Sequence, residues 1–282
     1  CRIRGGGGAL IEALVERGRE LGVEYRFGNG LARLECEGRT VVRGLLEDGT
    51  TVDAAEFVAA CHPKLVMDML SDDALKPMYK ERVRGFRDSR GALQLFVRLA
   101  APLESIGAGC LLLRDARGAS AADDVSIDVV LVTAPDAIEA DGTPRLEAMT
   151  YVSDEPFRRW RETRVLKRGA EYEALKSRLA ERMIALIETA IPELRDRIVD
   201  VYTATPLTDE WYTRNVHGGV FGISHDVEQM GTNRPMPRMR FRNLFFTGHS
   251  IMMPGICGTF INAFNTCEWI RGDEGFFERV VG

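Results

Sequence analysis

The chain has 282 residues, of which 45% are hydrophobic and 28% are charged, and its formal net charge is −5. This composition is typical of a globular chain with room for one large domain or two modest ones. Charges of both signs are interleaved and no long basic stripe occurs, which argues against a nucleic-acid partner. No apolar run is long enough to span a bilayer, and no signal peptide is recognisable.

Six cysteines are scattered along the chain without a Cys-x-x-Cys pair. This pattern favours reduced thiols over a disulfide framework or a zinc site. We therefore expect a cytoplasmic protein without a bound metal. Peripheral contact with a membrane surface is left open.

The first part of the chain predicts a helix followed by short strands. Glycines at positions 5–8 open a segment with apolar residues at helical spacing, and Gly22 closes it. These glycines do not follow an apolar strand, so they do not form a dinucleotide-binding fingerprint. Alternating apolar and polar residues then predict a strand at Val23–Phe27. Short strands separated by glycine turns predict an antiparallel hairpin layer, and a short apolar run after it predicts a buried strand. The layer comprises Leu31–Cys36, Thr40–Leu46 and Thr50–Val52, and the apolar strand is Phe57–Cys61.

The middle of the chain, from about Lys64 to Arg234, predicts a second unit. A charged helical stretch at 72–87 precedes four apolar runs that are typical of one antiparallel sheet. These runs lie at 91–99, 110–113, 125–132 and 146–152. A long helix at Tyr172–Ile191 then places an apolar stripe on one face, which we expect to be part of the core.

A strand, a loop and a buried helix are predicted near the C-terminus. Gly248 ends the apolar run Leu244–Thr247, and Pro254 precedes the next apolar run. Gly255 and Gly258 remove side chains where the helix begins, so its unpaired backbone N–H groups could face an electron-rich ligand. The same pattern also occurs in ordinary packing of a helix on a strand.

Several of these features follow one order. Gly248, Pro254 and Gly255 match a strand ending in glycine, a Pro-Gly loop and a helix, and they follow a Thr-Pro-x-Thr sequence at Thr205 and a glycine-rich segment at Gly219. In this the chain resembles the C-terminal portion of FAD-dependent oxidoreductases of the phytoene desaturase and carotenoid isomerase group, within the flavin amine oxidase superfamily. The resemblance covers about the first sixty and the last eighty residues.

The resemblance implies that the loop closes over the ring of an FAD cofactor. The cofactor-binding residues that it implies are Leu31, through its backbone, and Gly248, His249, Pro254, Gly255, Ile256, Cys257 and Gly258. Cys257 departs from the family, which usually has glycine there. The catalytic residues stay unknown, with His249 in the loop and His217 beside two glycines as candidates.

The fold implied by the resemblance is of mixed α/β and α+β type. A partial, discontinuous FAD-binding domain of the glutathione-reductase-like kind is expected at 1–63 and 235–282. A substrate-binding domain of antiparallel sheet and helices is expected to be inserted at 64–234. The apolar runs Phe57–Cys61 and Leu244–Thr247 should then lie in one sheet.

By the same resemblance, we expect the C-terminal part of a flavin-dependent desaturase, oxidase or isomerase that transfers hydride from a hydrophobic organic substrate to FAD. The sequence starts at Cys1 rather than Met and has no dinucleotide-binding motif. An upstream segment or a separate subunit is therefore expected to complete the cofactor site, and the isolated chain should be inactive. Dimerisation would be another way to cover open sheet edges. The alternative is a non-catalytic binding or scaffolding subunit that keeps the fold without flavin.

Overall fold

The computed structural model describes residues 3, 5–71, 73–106, 110–115, 125–133 and 142–281. It divides into two compact units. Unit 1 comprises Cys1–Tyr25 and Arg90–Tyr212, and unit 2 comprises Arg26–Ser89 and Thr213–Gly282. Each unit has a hydrophobic core of its own. The domain limits expected at 63 and 235 both fall within unit 2, and the assignment of cofactor and substrate roles to these parts of the chain stays a prediction.

Helices and strands alternate in the order of a mixed α and β protein. The strands are β1 Leu31–Glu37, β2 Thr40–Leu46, β3 Thr51–Val52, β4 Phe57–Ala59, β5 Gly91–Leu99, β6 Cys110–Arg114, β7 Val129–Thr133, β8 Arg145–Val152, β9 Ile198–Ala204 and β10 Leu244–Phe246. The helices are α1 Gly6–Glu20, α2 Pro63–Met69, α3 Pro77–Arg84, α4 Ala170–Glu188, α5 Leu194–Arg197, α6 Pro206–Thr213, α7 Gly255–Arg271 and α8 Phe276–Val281. No helix in the described ranges is long and apolar enough to cross a membrane.

Unit 1 is built on a five-stranded antiparallel sheet in the order β6-β7-β8-β5-β9. Alternate side chains of the interior strand β5 enter the core, while Phe96 between them is part-exposed. Helix α4 adds its apolar stripe to the same core, because Leu175, Leu179, Met183, Leu186 and Ile187 are all buried. The single antiparallel sheet and the core-facing stripe predicted from the sequence are confirmed.

Three features of unit 1 differ from the sequence-based expectation. Strand β9 joins the sheet beside β5, although its segment was not predicted as a strand. Helix α4 ends at Glu188, before the predicted end at Ile191, where Thr189 Oγ1 donates to the carbonyl of Leu186. The predicted strand Val23–Phe27 has no regular secondary structure and lies outside the described sheets, because alternating apolar residues do not by themselves provide a neighbouring strand to pair with.

Unit 2 contains the antiparallel hairpin layer β1-β2-β3, which confirms the predicted layer. Two helices follow it. The proline of α2 occupies its first turn, and His62 caps the helix by accepting a hydrogen bond from the Lys64 N–H, 3.2 Å away. The predicted charged helix at 72–87 is the shorter α3, which starts at Pro77 because proline is favoured in a first turn.

The strands β4 and β10 pair in parallel, with Leu244 opposite Phe57 and Phe246 opposite Ala59. This confirms that the two apolar runs share a sheet despite their separation in the sequence. All of β10 is buried, and its second edge is occupied, since the Phe246 N–H donates to the Pro237 carbonyl at 2.7 Å. Among the described strands β4 pairs with β10 alone, and Val58 on β4 is 51% exposed.

Candidate functional site

The carboxyl ends of β4 and β10 lie side by side in unit 2. The Thr247 N–H donates to the Ala59 carbonyl at 3.0 Å, which extends the pairing beyond β10. Gly248 comes next with φ of +90°, and a Cβ there would lie 3.1 Å from the carbonyl oxygen of Ala60. A side chain would therefore be strained and crowded, so glycine lets the chain turn away from the sheet.

The loop after Gly248 is held by one buried side chain on α7. The Asn262 amide nitrogen donates to the carbonyls of Gly248 and Met253, each at 2.8 Å. Its amide oxygen accepts from the Met253 N–H at 3.3 Å. Asn262 is 0% exposed, so these bonds form in a medium from which water is excluded. Asn262 thus joins both ends of the loop to the helix that follows it.

Helix α7 begins without a side-chain cap. Pro254 is the N-cap residue, and no side chain accepts a hydrogen bond at this end. Gly255 has φ of +75° with open space around it, whereas a Cβ on Gly258 would lie 2.7 Å from the Met253 carbonyl carbon. The first N–H groups of a helix have no intrahelical partner, and the positive end of its dipole favours negative charge. This helix start is chemically suited to an electron-rich group.

The surface around this helix start is apolar. Ile256 is 61% exposed, Cys257 is exposed, and Met253 and Phe260 are also exposed. Large apolar side chains that surround bare backbone donors are typical of a site for a flat organic ligand. The first turn of α7 contains four of the predicted cofactor-binding residues, Gly255, Ile256, Cys257 and Gly258. They are close in sequence to two others, Gly248 and His249.

Asn215 links the segment that contains His217 to the loop residue His249. His249 Nε2 lies 3.3 Å from the amide oxygen of Asn215, whose backbone carbonyl accepts from the Gly218 N–H at 3.0 Å. His217 has φ of 58°, uncommon for a residue with a side chain. On Gly222, a Cβ would collide with Ser250 and lie 2.9 Å from the His249 ring. The glycine-rich segment therefore packs directly on the loop.

Leu31, the remaining predicted cofactor-binding residue, lies in the hairpin layer rather than in the loop. It opens β1 opposite Leu46, is half-buried, and its side chain lies so close to Gly44 that a Cβ there would be 2.9 Å away. These contacts belong to the hairpin layer, and none of them connects Leu31 to the loop at Gly248. The role of its backbone in cofactor binding stays a prediction.

A buried polar cluster follows β4 that the sequence did not indicate. Lys64 Nζ lies 2.7 Å from one carboxylate oxygen of Asp88, and His62 Nε2 lies 3.1 Å from the other. Neither His62 Nε2 nor that oxygen of Asp88 has another hydrogen-bond partner within the described residues. Burial raises the pKa of Asp88, but the contacts with His62 and Lys64 outweigh burial and leave that pKa below its usual value. Asp88 and the start of α2 therefore fix the orientation of the His62 ring.

The electrostatic character of the region is positive. Arg234 is buried and donates to the carbonyls of Ser224 and Ile223, each at 2.7 Å, and burial lowers its pKa to about 10. Burial also lowers the pKa of His249, and repulsion from His62 and Arg234 lowers it further. His249 is therefore neutral at pH 7, while Arg234 keeps its charge. Negative charge that develops near the loop would be stabilised.

Two buried hydroxyl groups of the loop lack a hydrogen-bond partner within the described residues. They are Thr247 Oγ1 and Ser250 Oγ. A buried polar atom without a partner is costly and is most simply explained by a ligand or a water molecule. Together with the bare start of α7, these atoms fit a bound group that carries several polar atoms on a flat apolar frame, as an isoalloxazine does.

Comparison with known proteins identifies the family to which the chain belongs. Residues 1–266 match the family of flavin-containing amine oxidoreductases. The chain belongs to this family of oxidoreductases, and its cofactor is FAD. The resemblance to the phytoene desaturase group is confirmed.

Two curated relatives extend over most of the chain. All-trans-retinol 13,14-reductase of Danio rerio is 24% identical over 94% of this chain and 45% of its own length. The zeta-carotene-forming phytoene desaturase of Myxococcus xanthus is 28% identical over 88% of this chain and 48% of its own length. The chain thus spans about half the length of these relatives.

The fold is also found in solved structures. An oxidoreductase from Methanosarcina mazei matches 95% of this chain and 55% of its own, with a TM-score of 0.63 and 15% identity. At this identity the similarity concerns the fold, which is of mixed α and β type with antiparallel sheets. It carries no information on substrate.

Proposed function

We propose that this chain is the cofactor-closing and substrate-binding part of a flavin-dependent oxidoreductase that transfers hydride between a hydrophobic organic substrate and FAD. Bound FAD supplies the electron acceptor. The observation that carries the proposal is the uncapped, glycine-lined start of α7, held against the ends of β4 and β10 by Asn262. Retinol and phytoene, for which the two relatives are named, are both hydrophobic molecules, which supports this substrate class.

The residues of the loop have distinct parts in the proposal. The backbone N–H groups at Gly255 to Gly258 donate to the electron-rich edge of the cofactor ring and stabilise negative charge on reduction. Buried, charged Arg234 adds to this stabilisation through its field. Met253, Ile256 and Phe260 exclude water and pack against the apolar substrate. His249, neutral and bonded to Asn215, orients a polar group of the ring, and His217 lines the substrate path.

The cofactor-binding domain is discontinuous in this proposal. It consists of 1–63 and 235–282, with the substrate-binding domain at 64–234 between them. FAD carries a pyrophosphate and an adenosine, which a βαβ unit with a glycine-rich turn is suited to hold. An upstream segment or a separate subunit supplies that unit, and the free edge of β4, with exposed Val58, is where a further strand can add. We place the assembled protein in the cytoplasm, as a monomer or a dimer.

Reduction of the bound flavin by substrate tests the proposal. The complete protein would be mixed with hydrophobic alcohols, alkenes and polyenes without oxygen, and bleaching of the flavin absorbance would be followed. Bleaching by at least one apolar compound, and loss of the bleaching in Gly255→Asp, is expected. If the protein binds flavin but neither apolar compounds nor their reduced forms exchange electrons with it, the proposed activity is wrong.

A second candidate is the non-catalytic subunit. It is favoured by Cys257, an exposed side chain where the resemblance leads one to expect glycine next to the ring. Flavin content separates the candidates, because a scaffolding subunit would stay colourless even when it is produced with its complete set of partners. Stoichiometric flavin in the complete protein would eliminate this candidate.

A further inference from the structure

A cavity of about 550 Å³ opens at the start of α3 in unit 2. Its lining contains four cationic side chains, Arg39, Lys76, Arg82 and Arg240, and one carboxylate, Asp73. We call this cavity the cationic cleft. Its size falls in the range of small-molecule sites. A local excess of positive charge is notable in a chain whose net charge is −5.

The four cations of the cleft have no carboxylate partner within the part of the chain that the structure describes. In the ranges that the structure describes, none of the four forms an ion pair, and Asp73 is instead hydrogen-bonded to Ser71. By contrast, Arg84, which is on the same helix as Arg82, lies 2.7 Å from Asp68. Like charges held around one cavity repel each other. An anion bound there would relieve this repulsion.

The backbone of the cleft adds to its preference for anions. Lys76 is the N-cap residue of the eight-residue helix α3, and no side chain caps this end. The positive end of the helix dipole therefore lies at Lys76, whereas Arg82 is in the last turn of α3. Arg39 Nε donates to the Arg240 carbonyl at 2.6 Å, which fixes two of the cationic residues relative to each other.

One wall of the cleft is apolar and aromatic. Ala74 and Leu75 are buried beneath it, and the Arg240 guanidinium lies 5.2 Å from the centre of the Tyr79 ring. A guanidinium stacked on a ring keeps its N–H groups free to bind oxygen atoms at its edge. The lining therefore suits a ligand with an anionic group at one end and a flat or apolar body at the other.

We propose that the cationic cleft is a binding site for a phosphate ester with an aromatic or apolar body, such as a nucleotide or the headgroup region of a phospholipid. Arg82 and Arg240 bind the phosphate oxygens, and Lys76 with the start of α3 completes their neutralisation. Tyr79 and Leu75 contact the body. The site is separate from the loop at Gly248 and does not depend on the proposed oxidoreductase activity.

Binding measurements with three probes test this site. The purified protein is titrated with pyrophosphate, with adenosine monophosphate, and with vesicles of phosphatidylcholine that contain or lack phosphatidic acid. The variants are Arg82→Gln and Arg240→Gln, with Arg84→Gln as the control, because it removes the same charge from α3 outside the cleft. Thermal unfolding and flavin content are recorded for each variant to show that fold and cofactor are retained.

We expect adenosine monophosphate or phosphatidic acid vesicles to bind more tightly than pyrophosphate, and the preferred probe identifies the source of the phosphate. Each cleft variant should weaken that binding about tenfold, with the control within about twofold of the wild type. Failure of all three probes to bind, or an equal loss in Arg84→Gln, would overturn the proposal. Loss of flavin from Arg82→Gln would also overturn it, because the cleft would then be part of the cofactor site.

Discussion

Replacement of Asn262 tests the architecture of the loop in detail. Asn262→Ala removes two donors to carbonyls at 2.8 Å and one acceptor for an N–H at 3.3 Å. Each buried hydrogen bond contributes about 1 kcal/mol net, so the loss amounts to about 3 kcal/mol. For a protein of this size, this lowers the midpoint of thermal unfolding by about 6–12 °C. The loop at Gly248 should loosen as well, and flavin content should fall.

Asn265→Ala is the matched control. It lies on the same helix, and within the described residues its side chain makes a single weak hydrogen bond, from the amide nitrogen to the sulfur of Met252 at 3.7 Å. Both substitutions raise the helix propensity by the same amount, so the difference between their midpoints of thermal unfolding reports the hydrogen bonds of Asn262. Differential scanning calorimetry on the flavin-loaded protein measures both midpoints. Equal midpoints for the two variants would refute the assigned role of Asn262.

The variant Asn262→Asp is a second test of the same hydrogen bonds. The carboxylate keeps the shape of the amide but cannot donate to the carbonyls of Gly248 and Met253. At pH 7 this variant should be at least as unstable as Asn262→Ala, because a buried charge then faces two carbonyl oxygens. Its stability should recover as the pH falls and the carboxyl group is protonated.

Three further predictions concern charge and packing. Gly255→Asp should lose most of its flavin, measured by absorbance, whereas Gly255→Ala, with the same positive φ but no charge, should retain more; equal retention would remove charge as the reason. Cys257→Ala should keep flavin content and turnover within about twofold, since the thiol is exposed; a large loss would make that thiol part of the site. Burial raises the pKa of Asp209 to about 7, so the folded state holds a proton between about pH 4 and 7 that the unfolded state releases. The stability that this proton contributes is full below about pH 4 and is lost as the pH rises through 7. In urea unfolding at pH 8, Asp209→Asn should therefore be more stable than the wild type by on the order of 2–4 kcal/mol. At pH 4 the two proteins should not differ in this way.

The sequence predicted those parts of the fold in which period and composition act locally. The hairpin layer follows from alternation and the sheet of unit 1 from its apolar runs, whereas the pairing of β4 with β10 was expected from the fold that the family resemblance implies. Strand β9 was missed because its burial is one-sided and irregular. Helix α2 could have been found, since a histidine before a proline is a plausible helix start.

The site was less predictable because its side-chain contacts join distant residues. His62 had no visible partner in the sequence, yet Asp88 lies 3.1 Å away on another segment. The sequence also gives no sign of the bonds that Asn262 makes to Gly248 and Met253, because both partners lie outside its own turn of helix. Glycine positions were more informative, since the positive φ angles of Gly248 and Gly255 agree with the predicted turn and helix start.

The central proposal is that this chain provides the closing half of an FAD site and that an upstream segment or a separate subunit provides the other half. The most direct measurement is the flavin content and mass of the 282-residue chain produced alone and produced together with the coding sequence upstream of it. We expect colourless protein from the chain alone and one FAD per chain in the combined form. Stoichiometric FAD in the isolated chain would contradict the proposal.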